Sequence, residues 1–285
     1  MKKSVSLFLA LIIALASILS VTAAPEGNID YAGGVTDAMC KPSYWYNKGL
    51  FDSDDVLMTA DEIAKVNQAA IDGTGTNVVG LFNIKANYDA DEQRNSLSNI
   101  KIPTRDLYVD GQKINNNEYF NAFINAIKAT GYTGTSLNTQ YAVCTKRATL
   151  KAYPTDDIIG YSDADPDDEY ANSGLCVNEP FAVRAKCDID GETFYWGYSL
   201  NCTGWINAKD LAICKDREQW YDACKVELDA KDFIVVTEDK IVTEPSLLVP
   251  YSSEVKLTIG TILKLVPKDE IPEQIGERRT WNNYV

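Results

Sequence analysis

Between Tyr141 and Cys214 the chain changes to a period of two, and that change restricts the fold more than any other feature of its 285 residues. Residues 141–145, 181–187, 194–200 and 205–206 are short runs rich in aromatic and β-branched side chains, bounded by Pro, Gly, Asn and Asp. Side chains alternate across a strand, so such runs suit short, half-buried strands. Asp190-Gly191 lies between the second and third runs and predicts a tight hairpin, since both residues tolerate positive φ. Strands with no helix between them predict a small barrel over residues 139–216. From Asp232 the style returns at 233–236, Val242, 255–259 and 262–266, which predicts a second small β domain over 230–285 that is incomplete at Val285.

Two helices are expected ahead of the strands. Thr59 followed by Glu62 is a capping box, Asp61 and Glu62 suit the positive end of a helix, and Ile63, Val66 and Ala70 make one face before Asp72-Gly73 stops it. The second runs from about residue 118 to 130, where Phe120, Phe123, Ile124 and Ile127 recur at helical spacing and Gly131 offers a left-handed stop. That stripe is core. The predicted class is therefore α+β: a small helical N-terminal region, 24–138, followed by two small β-barrels.

The first residues are an address. Lys2 and Lys3 precede an almost continuously apolar run over 5–20, and Val21-Thr22-Ala23 supplies the small residues a signal peptidase reads. Cleavage is expected after Ala23. The run is short for a membrane span of about 20 apolar residues, and no cysteine sits at the cut to make a lipoprotein. Removal of 1–23 takes two lysines from a chain of net charge -14, leaving -16. Secretion is the expected destination, with no membrane span after signal removal.

Seven cysteines in an exported chain read first as disulfide partners. Cys144, Cys176, Cys187, Cys202, Cys214 and Cys224 crowd one stretch while Cys40 stands apart, and six cysteines allow 15 connectivities, none favoured by spacing. No Cys-x-x-Cys pair suggests a thiolate metal site. Asp163, Asp165, Asp167, Asp168 and Glu169 invite a calcium reading, but a loop starting at Asp163 needs Gly where Asp168 stands and Glu where Gly174 stands. A solvated loop is expected there, and no metal or cofactor. Among 41 acids nothing fixes two carboxylates at glycosidase spacing. Asn201-Cys202-Thr203 fits a glycosylation sequon, with its cysteine better read as a disulfide partner.

Charge and histidine remove whole classes of function. An excess of 41 acids over 27 bases, with no basic stripe, leaves nothing to attract nucleic-acid phosphates. Histidine is absent, so no Ser-His or Cys-His dyad can be assembled from these residues.

The order of segments resembles the non-catalytic front half of the NlpC family of cell-wall cysteine peptidases: an N-terminal stabilising region, two bacterial SH3-like domains, then a papain-like domain. The likeness rests first on Tyr44-Trp45, then Asp55-Val56-Leu57-Met58-Thr59-Ala60-Asp61-Glu62-Ile63 and Asn67. It continues in Tyr141-Ala142-Val143, Lys146-Arg147-Ala148-Thr149-Leu150-Lys151-Ala152-Tyr153-Pro154-Thr155, Asp165-Pro166-Asp167-Asp168, Gly204-Trp205-Ile206 and Asp210-Leu211-Ala212. The third part is Asp232-Phe233-Ile234-Val235-Val236-Thr237 with Ile259-Gly260-Thr261-Ile262-Leu263-Lys264-Leu265. The family's Asp-Cys-Ser-Gly turn and its histidines are missing. The end at Val285 is read as a fragment boundary, with a catalytic domain expected downstream in cis that would cut peptidoglycan stem peptides at a D-glutamyl-diamino acid bond. The alternative is a stand-alone secreted wall-binding protein without enzymatic activity.

The resemblance implies that the first barrel narrows which stem peptide enters a neighbouring groove. Exposed aromatics of such barrels would contact peptidoglycan or its stem peptides, and Tyr161, Tyr170, Tyr195 and Tyr198 are the candidates. Alternation over residues 194–198 places Phe194 and Trp196 on one face and Tyr195 on the other, with Phe194, Trp196 and Trp205 expected in core. In SH3-like barrels the first and last strands are neighbours, which implies a Cys144–Cys214 disulfide, provided the register puts both thiols on one face.

Overall fold

The computed structural model of the chain describes residues 33–48, 55–73, 78–98, 100–129, 136–227, 230–245, 247, 252–267, 269–271, 273–275 and 278–279. The signal segment, Gly131 and Val285 lie outside them. Two units are distinguished, residues 1–63 and 64–285. In the first, a 3-10 turn (Asp37–Cys40) precedes the short helix α1 (Pro42–Asn47), opened by a proline where no N–H partner is needed. Helix α2 (Ala60–Asp72) begins with the expected capping box: Thr59 N donates to Glu62 Oε2 at 2.7 Å, and Glu62 N donates to Thr59 Oγ1 at 3.3 Å. The Thr59 N–H and hydroxyl hold the Glu62 carboxyl below its ordinary range. The apolar residues Ile63 and Val66 of α2 are exposed.

The second unit takes in α2 from Ala64 onward and continues with strand β1 (Asn87–Asp89) and helix α3 (Ala90–Ser98), whose start is capped by Asp89 Oδ1 accepting from Asp91 N at 2.8 Å and Glu92 N at 3.0 Å. Strands β2 (Tyr108–Val109) and β3 (Gln112–Lys113) form a hairpin before helix α4 (Asn116–Ala129). Strand β4 (Ser136–Asn138) pairs antiparallel with β1. There follow β5 (Gln140–Cys144), β6 (Ala148–Lys151), β7 (Ile159–Gly160), β8 (Ala171–Leu175), β9 (Pro180–Ile189), β10 (Glu192–Tyr198), β11 (Thr203–Asn207) and β12 (Leu211–Ile213). All but β7 join one antiparallel sheet in the order β12-β5-β9-β10-β11-β6-β8, while β7 pairs with β2. The β9–β10 turn is at Asp190 (φ 52°) and Gly191 (φ 83°), the two positive-φ residues a tight hairpin of this hand requires.

The fold is mixed helix and strand, but no closed barrel forms among the described residues. The sheet ends at β12 on one side and β8 on the other, with no ladder joining them. It is curled all the same, because Ala142 and Cys144 of β5 share one buried cluster with Leu150 of β6, Leu175 of β8, Val183 of β9 and Ile206 of β11. The opposite face is equally dry: Leu97 of α3 and Ile127 of α4 cover Ala185, Cys187, Phe194 and Trp205. Phe120 and Phe123 of α4 pack with Leu107, Tyr153 and Ile159 in a third cluster. Helix α5 (Arg217–Cys224) closes the unit's remaining side, where Trp220 packs on Leu81, Tyr141 and Ala182. Past α5, β13 (Phe233–Val235), β14 (Lys240–Val242), β15 (Lys256–Thr258) and β16 (Ile262–Lys264) make two separate ribbons, β13 with β16 and β14 with β15. Ile234, Val235, Ile241, Val242 and Ile262 stay exposed on them.

The cysteine expectation is corrected by register. Strands β5 and β12 are neighbours, but Leu211 stands opposite Cys144 and Ile213 opposite Ala142, while Cys214 N donates to Tyr141 O at 2.8 Å. Cys144 and Leu211 face the inner cluster, whereas Cys214 faces the Trp220 cluster. An odd offset in a strand changes face, so the Cys144–Cys214 disulfide does not form, and all seven thiols are free. Burial pushes the Cys187 and Cys224 thiols up to about 12 and raises those of Cys144 and Cys214 as well. Only a thiolate alkylates readily. Iodoacetamide at neutral pH is therefore expected to label exposed Cys40 first and to reach Cys144 and Cys187 only after denaturation. Peptide mapping checks this, and early labelling of Cys144 would overturn the packing described.

Candidate functional site

Strands β9 and β10 pair regularly from Glu192↔Ile189 to Trp196↔Ala185, then the register jumps so that Gly197 faces Val183 and Arg184 is left over. This is a β-bulge, a device that re-aims a side chain. It also reverses parity along β9: Phe181 and Val183 point into the inner cluster, whereas Ala185 and Cys187 lie under the helices. Gly197 is what permits it, since a Cβ there would land on the Ala182 carbonyl oxygen and lie 2.9 Å from Phe181 Cε1.

Arg184 emerges between two tyrosines. Its guanidinium carbon lies 3.4 Å from the centre of the Tyr88 ring and 5.7 Å from that of Tyr198. Tyr88 sits on β1, is buried, and its hydroxyl donates to the Arg184 carbonyl, tying β1 to the bulge. Burial raises the Tyr88 phenol above its ordinary range, and the neighbouring Arg184 charge opposes that. Tyr198 adds an edge-on ring to Trp196, 5.5 Å away. Tyr88, Arg184 and Tyr198, together with Val79, Ile84 and Lys85, line an open cleft of about 690 Å³, within the size range of small-molecule sites. The exposed carboxylates Asp89 and Glu92 also border it.

The four tyrosines singled out from the sequence fall in three places. Tyr198 belongs to this cleft. Tyr161 and Tyr170 lie together against the third core cluster, where the Arg105 guanidinium carbon sits 3.2 Å from the Tyr161 ring centre and Tyr170 meets Tyr153 at 5.2 Å. The Glu169 carboxylate beside its hydroxyl raises the Tyr161 phenol, and burial raises that of Tyr170. Tyr195, expected on a solvated face, instead packs half-buried against the inner cluster, because both faces of this sheet are covered. Phe194 and Trp205 are in core as expected, and Trp196 is half-buried against it.

The acidic loop is exposed at Asp163, Asp167 and Glu169, while Asp165 and Asp168 turn back onto the protein. Asp165 accepts from Tyr161 N at 2.8 Å and from Asp167 N at 3.1 Å, which holds its carboxyl below the ordinary range. Asp168 Oδ2 pairs with Lys151 Nζ at 2.7 Å, and Lys151 also donates to the Asp157 carbonyl. Tyr88 and Arg184 escaped the sequence reading. Arg184 carries only a faint signal, a cation inside Phe181-Ala182-Val183-Arg184-Ala185; Tyr88 carries none, since its role depends on a pairing between distant β1 and β4.

No family model and no curated protein sequence matches the chain. Among solved structures, an NlpC/P60 endopeptidase from Photobacterium damselae subsp. piscicida is similar to it with a TM-score of 0.46 at 13% identity, over 73% of this chain and 47% of that one. The chain thus spans about half the length of that neighbour.

Proposed function

We propose that these residues are the wall-binding, substrate-shaping part of an exported NlpC-type peptidoglycan endopeptidase: two SH3-like domains on a helical N-terminal region, working in cis with a catalytic domain that cuts stem peptides at a D-glutamyl-diamino acid bond. The observation that carries this reading is the Tyr88–Arg184–Tyr198 cleft, an aromatic and cationic recess built on a rigid bulge in a chain with no histidine to activate a nucleophile. Rings of this kind stack on sugars and flank short peptides. The segment order set out above adds support, as do the exposed apolar residues of β13–β16, a surface that a further domain would cover.

The test is cosedimentation of residues 24–285 with isolated sacculi. The protein is expected to cosediment and to release no soluble peptides. Tyr198→Ala should weaken binding several-fold at unchanged circular dichroism, whereas Tyr195→Ala should act through stability. Absence of cosedimentation, or peptide release that survives repurification, would overturn the reading.

A further inference from the structure

We infer that the cleft recognises a free carboxylate, held by the Arg184 guanidinium, on a short ligand whose apolar flank lies on Tyr198; the assignment deepens the wall-binding reading and rests on it for the identity of the polymer. Arg184 contrasts with three paired lysines of the second unit. Lys151 is satisfied by Asp168 at 2.7 Å, Lys209 by Asp156 at 2.6 Å and Glu192 at 3.3 Å, and Lys146 by Asp210 at 2.7 Å. None of the ion pairs among the described residues includes Arg184. Its Nε is buried and has no hydrogen-bond partner among the described residues.

A buried guanidinium N–H with no acceptor is costly, and the cost is recovered when an acceptor arrives. The fork of an arginine matches the two oxygens of a carboxylate, and here the guanidinium already rests over the Tyr88 ring, so little freedom is lost on binding. The two carboxylates bordering the cleft do not take that role: Asp89 Oδ1 is spent on the start of α3, and Glu92 is exposed on α3 itself. Their negative charge disfavours a polyanion, so the ligand that fits carries one carboxylate and no other strong negative charge. A peptide C-terminus has that chemistry.

The experiment titrates the whole mature chain with N-acetyl-alanyl-alanine and with its C-terminal amide, followed by intrinsic tryptophan fluorescence and by amide NMR shifts at residues 183–185. The acid is expected to bind at least about tenfold more tightly than the amide, the size of one charge-assisted pair. Arg184→Met, which keeps an unbranched side chain over Tyr88, should abolish that preference at an unchanged thermal midpoint. Equal binding of acid and amide, no binding of either, or a preference that survives Arg184→Met would overturn the assignment. If Arg184→Met fails to fold, the wild-type comparison of acid with amide decides alone. Cosedimentation with sacculi runs beside it: sacculi bound without an acid preference sinks the carboxylate site and leaves the wall-binding reading, and the reverse pattern sinks the latter alone.

Discussion

Trp220→Ala is expected to destabilise the second unit by about 4 kcal/mol and to lower its thermal midpoint by roughly 10 °C. The indole is fully buried and packs on Leu81, Tyr141 and Ala182, with the Phe82 ring 5.1 Å away. Its Nε1 donates to the Ala142 carbonyl at 2.8 Å. Truncation leaves both a cavity and a buried carbonyl short of a donor, two costs that add. Trp220→Phe fills most of the space and loses only the N–H, so about 1–2 kcal/mol is expected. Exposed Trp45 provides the control, with Trp45→Ala inside about 0.5 kcal/mol. Urea titration by circular dichroism measures all three. A Trp220→Ala loss below about 1 kcal/mol would show that α5 is not part of the folded unit.

Asp168→Ala should cost about 3 kcal/mol, far more than removal of a surface ion pair. Its partner Lys151 has a side chain only 4% exposed, so an orphaned ammonium would remain in a dry site. Asp168 also accepts from Tyr170 N at 3.3 Å, so the acid-rich loop would lose an anchor. The double variant Lys151→Met with Asp168→Ala removes the charge together with its partner and should recover most of the loss, giving a coupling of at least about 1 kcal/mol in the cycle. Additive losses would mean that the pair is solvated.

Local chemistry was legible where a few neighbouring residues decide the outcome. The Thr59–Glu62 box opens α2, Asp190-Gly191 turns β9 into β10, and Phe120, Phe123 and Ile127 enter core from one face of α4. Three further helices, α1, α3 and α5, were missed, although two of them have a readable cap. Asp89 caps α3, and Asp216 caps α5 by accepting from Gln219 N at 2.9 Å. Both helices are short and polar in composition, and what holds α5 is Trp220 against the sheet, with Arg217 and Tyr221 donating to the Ile84 and Phe82 carbonyls, rather than a periodic stripe.

The placement of Tyr195 and of the cysteines shows a different limit. Alternation determined that Tyr195 and Phe194 take opposite faces, but not that α3 and α4 would cover the second face and leave β10 without a wet side. Neighbouring strands could be expected, but the pairing of Cys144 with Leu211 rests on hydrogen bonds to Asp210 and Tyr141 across some 70 residues of chain. The bulge is the clearest case: one unpaired residue in β9 turned Arg184 onto the rings of Tyr88 and Tyr198. By itself the sequence determined the class of element, the hairpin and the absence of a histidine-based dyad, because those follow from residue type and short-range geometry. Register, the covering of faces and the cleft were decided only in the tertiary structure, where backbone ladders and packing between distant segments select among patterns that are locally equivalent.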